Sequence, residues 1–348
     1  MSSRRTPSLS PGHVSRRGPR TLWAVFTALT VGILTACGTS SSDDTPSSDA
    51  TTGSGAASGA FPVKVPTKFG DITVSERPTR VVALGWGDAE AALALGVQPV
   101  GASDWLAFGG DGVGPWAEGL YRKSPQLIGT LEPEFEKIAA LRPDLILDTK
   151  SSGAQERYDT LSKIAPTIGV PKGGDQYKIS WERQTEMISA ALGIPDQGAK
   201  LIADTDKKFA ESNAAHPEFK GKTITVGSRT AGEWGAYVHG TGRVDFVERL
   251  GFRNNPAVDA KAGDSFYIAV SRENLDLLDA DLTVMAPIGI AAAKISDDPL
   301  YRAVPSVKAG RSVVFDDETL SSAFATDSVL SVAYALEKVV PLFAAPLK

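Results

Sequence analysis

Two segments of the chain follow one pattern, and this pattern restricts the fold more than any other feature. FEKIAALRPDLIL occupies residues 135–147, and RENLDLLDADLTV occupies residues 272–284. In both, a glutamate opens a short helix-like stretch, and Asp-Leu then starts a short apolar run typical of a buried strand. Glu136 corresponds to Glu273, and Asp144 corresponds to Asp281. This helix–strand motif occurs twice, 137 positions apart, and the repeat predicts two lobes of similar α/β construction.

Strand-like and helix-like segments alternate on both sides of one long helical region. A hairpin is predicted at residues 63–76, with strands and helices alternating from residue 80 to residue 170. Asp88 is the expected N-cap of the helix at 88–95, and residues 98–101 are expected to form a strand. Residues 180–214 carry helical patterns only, and the alternation then resumes from the strand at 222–227 to a closing helix at 327–343. Such alternation predicts parallel-rich sheets covered by helices on both faces, as in Rossmann-like lobes.

The N-terminus is typical of an export signal. A basic stretch is followed by the apolar run TLWAVFTALTVGILTA, and Leu34-Thr35-Ala36-Cys37 is similar to the bacterial lipobox. We predict a lipoprotein signal peptide at residues 1–36 and lipidation of Cys37, which would hold the protein on the extracytoplasmic face of the cell membrane. The alternative is an ordinary signal peptide with a chance cysteine; the export route, general secretory or twin-arginine, stays open. Residues 37–60 lack apolar periodicity and are predicted to be a flexible tether.

The remaining composition excludes several functions. The chain has 36 basic and 41 acidic residues, and the basic signal accounts for five of the 36, so no basic excess is left for nucleic acid. Cys37 is the only cysteine, and His216 and His239 are the only histidines beyond the signal. A catalytic cysteine and a three-histidine metal site therefore cannot be built. We expect no catalysis, no cofactor and no resident metal.

The chain resembles the iron-siderophore substrate-binding proteins of ABC importers, a cluster that also includes haem and cobalamin carriers. The resemblance runs from residue 63 to the C-terminus and rests on several motifs taken together: RPTRVVALG at 77–85, LGVQPVG at 95–101, EFEKIAALRPDLIL at 134–147, VSRENLDLLDADL at 270–282 and DPLYRAVPSVKAGRSV at 298–313. It implies an N-terminal lobe at 61–179, an interlobe helical segment at 180–215 formed by a single long helix, and a C-terminal lobe at 216–348. The ligand cleft would lie between the lobes of a monomer.

The resemblance also implies a role for the repeated glutamate. In this family, each lobe presents one surface glutamate to arginines of the importer's membrane permease, and by motif position these are Glu136 and Glu273. Two carboxylate–guanidinium pairs set far apart fix orientation as well as affinity. The alternative is that each glutamate only complements the dipole of its own helix. Glu134 competes with Glu136 because it lies in the same first turn.

Cleft residues are expected in loops at the ends of strands, where ligands of open α/β sheets bind. The candidates are aromatic residues and one cation: Trp86, Trp105, Arg229, Trp234, Tyr237 and Tyr267. Such a set suits a ferric siderophore, with the hydroxamate class preferred over triply anionic catecholate complexes because few cations are available. Arg122, Arg243 and Lys261 are further cations that could reach the cleft. The alternatives are a cobalamin or haem carrier on the same fold and a structural surface lipoprotein.

Overall fold

The computed structural model describes Gly59 and residues 61–129, 132–174 and 176–348. The predicted signal peptide, Cys37 and nearly all of the predicted tether lie outside these residues. The strands are β1 Val63–Thr67, β2 Gly70–Val74, β3 Val81–Ala83, β4 Gly101–Ser103, β5 Gln126–Ile128, β6 Leu145–Leu147, β7 Thr167–Ile168, β8 Thr223–Arg229, β9 Trp234–Tyr237, β10 Arg253–Asn254, β11 Tyr267–Val270, β12 Leu282–Pro287 and β13 Ser312–Val314.

The helices are α1 Asp88–Ala94, α2 Phe135–Ala140, α3 Gln155–Leu161, α4 Trp181–Ala191, α5 Pro195–Ala215, α6 Gly242–Arg249, α7 Pro256–Asp259, α8 Ala293–Ser296, α9 Pro299–Ala303, α10 Pro305–Lys308, α11 Glu318–Thr326, α12 Val329–Lys338 and α13 Val340–Ala344. Short 3-10 helices lie at Pro115–Ala117, Pro217–Phe219, Arg272–Leu278 and Ala345–Leu347.

Two separate sheets form the two lobes. The N-terminal lobe contains the β1–β2 hairpin and a parallel sheet in the order β5-β4-β3-β6-β7. The C-terminal lobe contains the order β11-β9-β8-β12-β13, in which β9 and β11 run antiparallel to their neighbours and β10 pairs with β8. Strands β3 and β6 are buried along their whole length, as expected where helices cover both faces of a parallel sheet. The predicted two-lobed α/β fold is confirmed.

The repeated motif occupies the same place in both sheets. Its strands, β6 and β12, pair in parallel with β3 and β8, the first parallel strands of their respective lobes. The Asp144 carboxylate accepts hydrogen bonds from the backbone N–H (2.8 Å) and the hydroxyl (2.7 Å) of Thr79, just before β3. The Asp281 carboxylate accepts the same pair of bonds from Thr223, at 2.8 and 3.0 Å. The repeated aspartate therefore ties together the starts of two neighbouring strands.

The helical part of the motif differs between the lobes. Glu136 lies in the first turn of α2, whereas Glu273 lies in the 3-10 helix, which is kinked at Asn274. The helix predicted to follow Glu273, at residues 274–278, is therefore a 3-10 helix rather than an α-helix, although its position is right.

The interlobe region is two helices rather than one continuous helix. The break falls between α4 and α5, where Gly193 adopts a φ of +69° and Pro195 starts the second helix. Helix α4 contributes to both lobes, because Trp181 packs in the core of the C-terminal lobe while Met187 and Ile188 pack in the core of the N-terminal lobe. A helix anchored in both cores limits how far the lobes can separate. The predicted boundaries at 180 and 215 stay predictions.

Several predicted elements are displaced. Strand β4 starts at Gly101, so the strand predicted at 98–101 is wrong in position; Pro99 lies inside that range and cannot donate to a sheet. Asp88 is the first helical residue of α1 rather than its N-cap, a place taken by Gly87. The closing helix predicted at 327–343 is divided between α12 and α13, and α11 precedes it.

No single helix among the described residues is long and apolar enough to cross a membrane. The bent pair at residues 329–338 and 340–347 passes that test only when its two helices are taken together.

Candidate ligand cleft

A cavity of about 780 Å³ opens between the two lobes. The N-terminal lobe contributes the segments that follow β3 and β4, and the C-terminal lobe contributes β9, α6, the ends of β12 and β13 and the start of α11. The cavity is lined by Trp86, Trp105, Leu106, Tyr237, Arg243, Phe266, Ala286, Pro287, Ile288, Gly289, Ile290, Ala291, Ala292, Phe315, Asp316, Asp317, Glu318, Ser321, Ser322 and Ala325. Its position at the carboxyl ends of the parallel strands is the usual ligand position in open α/β sheets.

On the N-terminal side the cavity is lined by Trp86 and Trp105, and Tyr177 stacks on Trp86 in a small adjoining pocket. The ring of Trp86 lies between those of Trp105, at a centroid distance of 4.2 Å, and Tyr177, at 3.9 Å. The backbone of Trp86 is held from both sides: its N–H donates to the Lys150 carbonyl (2.9 Å), and its carbonyl accepts from the Gln184 amide (2.8 Å). A wall of this kind is preorganised, because its rings do not have to be ordered by the ligand.

The opposite wall combines two aromatic rings with a guanidinium group. The rings of Tyr237 and Phe266 stack at 6.3 Å, and the Arg243 guanidinium lies 4.4 Å from the Tyr237 centroid. The Arg243 side chain makes no hydrogen bond or ion pair with another described residue, and its Nε is buried without a partner. Arg243 is therefore free to donate to a ligand.

Three exposed carboxylates lie at the edge of the cavity. Asp316, Asp317 and Glu318 follow β13, and the Asp317 carboxylate caps α11 by accepting from the Leu320 N–H at 3.1 Å. The charges that line the cavity thus amount to one cation and three anions.

Three of the predicted cleft residues do not line this cavity. Arg229 is the last residue of β8, and its guanidinium lies 3.5 Å from Asp298 and 4.4 Å from the Trp234 ring. Trp234 is buried in β9 and stacks on Tyr301, so its predicted loop position is wrong. Tyr267 starts β11 and packs against Tyr237 from the side, at 5.7 Å.

Trp86, Trp105 and Tyr237 do line the cavity, although Tyr237 belongs to a strand rather than to a loop. Tyr177 was not predicted from the sequence, and Arg243 was predicted only as an alternative cation. Gln176 and Tyr177 have φ values of +56° and +62°, a conformation that non-glycine residues adopt rarely and that often marks functional sites. Backbone strain is not visible in a sequence, so only the tertiary structure reveals Tyr177.

Polar contacts join the two lobes close to the cavity. The Lys150 Nζ lies 2.8 Å from the Asp327 Oδ2 and 2.9 Å from the Asp327 carbonyl oxygen, and each side chain is only 4% exposed. The Glu90 carboxylate accepts hydrogen bonds from Trp116 Nε1 (2.7 Å) and from the hydroxyl of Ser328. Burial raises the pKa of Glu90, and these hydrogen bonds oppose that shift. Buried polar contacts therefore join the two lobes, and two of their residues, Lys150 and Asp327, line a small pocket that shares Trp86, Tyr237 and Arg243 with the cleft.

A second buried carboxylate fixes the segment that carries Trp86. Asp88 accepts from the Gly85 N–H (3.0 Å), the Thr149 N–H (2.9 Å), the Thr149 hydroxyl and the Gln184 amide (2.7 Å). Burial raises the pKa of Asp88 to about 6, against the effect of these donors. The network connects β3, β6 and α4 at the base of the aromatic wall.

Both predicted docking glutamates are exposed. Glu136 and Glu273 make no ion pair with another described residue. Glu134, the competing residue, is already engaged, because it accepts from the Gly129 N–H at 2.9 Å and lies 2.6 Å from Lys137.

The periplasmic binding protein family matches residues 81–319, which span both sheets and the cleft. The chain belongs to this family.

Individual relatives and solved structures agree with this assignment. The chain is 29% identical over 267 residues to the probable siderophore-binding lipoprotein of Bacillus subtilis, covering 72% of this chain and 78% of that protein. It is 27% identical over 271 residues to the iron(3+)-hydroxamate-binding protein of the same organism, covering 76% and 79%. The structure of PiaA from Streptococcus pneumoniae in complex with ferrichrome superimposes with a TM-score of 0.72 at 28% identity, covering 82% of this chain and 98% of that one.

Proposed function

We propose that this protein captures a ferric siderophore and delivers it to the membrane permease of an ABC importer. The observation that carries the proposal is the interlobe cavity, in which stacked Trp86 and Trp105 face Arg243 and Tyr237. Its volume of about 780 Å³ lies within the usual range for small-molecule sites. The names of the relatives support the same ligand class: one is called a probable siderophore-binding lipoprotein, another an iron(3+)-hydroxamate-binding protein, and PiaA was solved in complex with ferrichrome.

The chemistry of the two walls suits such a complex. A ferric siderophore has an organic shell around an oxygen-coordinated iron, so the protein needs aromatic surface for the shell and a donor for the oxygens. Trp105 supplies this surface together with the edge of Trp86, whose two faces are covered by Trp105 and Tyr177. Arg243 supplies the donor, because its guanidinium faces the cavity without an ion pair among the described residues.

The charge around the cavity favours the hydroxamate class. A tris-catecholate ferric complex carries about three negative charges and would require several cations to offset its burial. Here the lining offers Arg243 alone against the carboxylates of Asp316, Asp317 and Glu318. A neutral or weakly charged hydroxamate complex avoids that repulsion. Arg229, the cation expected from sequence, is already paired with Asp298.

The proposal is tested by titrating the protein with ferrioxamine B, ferrichrome, ferric enterobactin, haem and cobalamin while following tryptophan fluorescence. The hydroxamate complexes are expected to quench it and to bind more tightly than the catecholate. Arg243→Gln should weaken that binding about tenfold to a hundredfold, the worth of one hydrogen bond from a charged donor. Arg122→Gln is the matched control, since Arg122 is exposed and does not line the cavity.

The outcomes separate the alternatives. Tighter binding of ferric enterobactin would overturn the hydroxamate preference and keep the siderophore assignment. Binding of haem or cobalamin alone would replace the siderophore by one of those ligands. Binding of none of the five would contradict the proposed ligand class and leave the structural lipoprotein as an alternative.

Delivery requires a place at the membrane and a partner. Lipidation at Cys37 would anchor the protein extracytoplasmically, and the B. subtilis relative is named a lipoprotein. Glu136 and Glu273, exposed and unpaired among the described residues, would meet arginines of the permease.

A further inference from the structure

Three side chains with metal-ligating atoms meet outside the cleft. His239 lies in the loop after β9, and Asp245 and Glu248 lie one turn apart on α6. One ligand atom from each residue lies within 4.8 Å of the other two. The His239 Nδ1 is 2.9 Å from the Glu248 Oε2. None of the three lines the cavity of the cleft.

The loop that carries His239 is held in place by its own hydrogen bonds. The His239 N–H donates to the Asp259 carboxylate at 3.0 Å, and the Thr241 hydroxyl donates to the Val238 carbonyl at 2.8 Å. Gly240, with a φ of +80°, makes the tight turn between them. The imidazole itself is 70% exposed. The backbone is therefore fixed while the ring stays accessible to an ion from solvent.

The third member, Asp245, lies among charged groups: the carboxylates of Asp327 and Glu248 and, with the opposite sign, His239 and Lys150. Its carboxylate is half-buried and makes no hydrogen bond or ion pair with another described residue. A histidine–glutamate pair needs no second carboxylate beside it, and two carboxylates at this distance repel each other. A bound cation would satisfy all three groups at once.

We propose that His239, Asp245 and Glu248 bind a divalent transition-metal ion. One imidazole nitrogen and two carboxylate oxygens suit zinc, cobalt, nickel or manganese better than magnesium or calcium, which prefer oxygen ligands throughout. Three protein ligands leave coordination positions open for water.

The ion would join the loop after β9 to α6. Tyr237 ends β9 just before this loop and Arg243 lies on α6, and both residues line the C-terminal side of the cleft. The site goes beyond the capture of a siderophore, and its occupancy does not depend on that function being correct.

The test is calorimetric titration of the full chain, without a histidine tag, with Zn²⁺ in a non-chelating buffer. His239→Ala, Glu248→Gln and Asp245→Asn are each expected to weaken one site at least about tenfold, because even outer-shell changes cost that much at metal sites. His216→Ala is the matched control. The His216 Nδ1 also lies 2.9 Å from a carboxylate, that of Glu218, but no third ligand joins this pair among the described residues.

A second measurement, the visible absorption of bound Co²⁺, uses the unaltered chain and therefore does not depend on the folding of any variant. Co²⁺ bound to the unaltered chain is expected to give the intense visible absorption of a four- or five-coordinate ion, and Zn²⁺ should abolish that absorption. The weak spectrum of hydrated Co²⁺ would overturn the proposal. Equal Zn²⁺ affinity of the His239→Ala and His216→Ala variants would overturn it too. Loss of affinity in His239→Ala and Glu248→Gln but not in Asp245→Asn would reduce the site to an ordinary histidine–glutamate pair and contradict the three-ligand assignment.

Discussion

The buried ion pair between the lobes yields a quantitative prediction for Lys150→Met. Lys150 follows β6 in the N-terminal lobe, and Asp327 lies between α11 and α12 in the C-terminal lobe. With each side chain only 4% exposed and the Asp327 Oδ1 lacking any partner, the pair is scarcely screened by solvent. Removing the ammonium leaves a buried carboxylate without its counter-charge, which costs about 3–5 kcal/mol. Methionine has about the length of the lysine stem, so the lost free energy of unfolding comes from the missing charge and not from a cavity.

The assay is urea unfolding followed by tryptophan fluorescence, with the free energy of unfolding compared among variants. Adding Asp327→Asn to Lys150→Met is expected to recover about 1–3 kcal/mol, since asparagine tolerates the left-handed conformation (φ +48°) of Asp327 and carries no charge. Lys200→Met is the matched control, because the Lys200–Asp204 pair has a distance of 2.6 Å but is 74% and 58% exposed. It should lose at most about 0.5 kcal/mol. If Lys150→Met loses no more than Lys200→Met, the argument that a buried charge pair holds the lobes together is refuted.

Two further predictions concern delivery at the membrane. The double variant Glu136→Arg with Glu273→Arg should abolish iron-siderophore uptake by cells but leave the affinity of the purified protein for ferrioxamine B unchanged, because both residues are exposed and do not line the cavity. A loss of that affinity would mean that the two glutamates shape the fold or the cleft instead. Cys37→Ser should release the protein from the membrane or leave it as an uncleaved precursor, since no cysteine remains to be lipidated. If fractionation shows that the Cys37→Ser protein is membrane-bound and normally processed, the lipobox assignment is wrong.

Local patterns in the sequence were enough to predict the architecture. Buried strands such as β3 and β6 are continuous apolar runs, and the repeated motif around Glu136 and Glu273 marks equivalent places in two lobes. These patterns depend only on residues that are close in sequence, so they can be recognised without the tertiary structure. Trp86 and Trp105 were found for the same reason, because each follows a parallel strand directly.

The cleft cation was decided by tertiary structure alone. Arg229 and Arg243 are both arginines near strand ends, and the sequence does not distinguish between them. Asp298, 69 positions beyond Arg229, folds back to pair with it, whereas no described residue pairs with Arg243. Likewise, the antiparallel β9 takes Trp234 into the core while Tyr237, three residues later in the same strand, lines the cavity. A sequence determines which residue types are available, but long-range pairing and strand orientation determine which of them face a ligand.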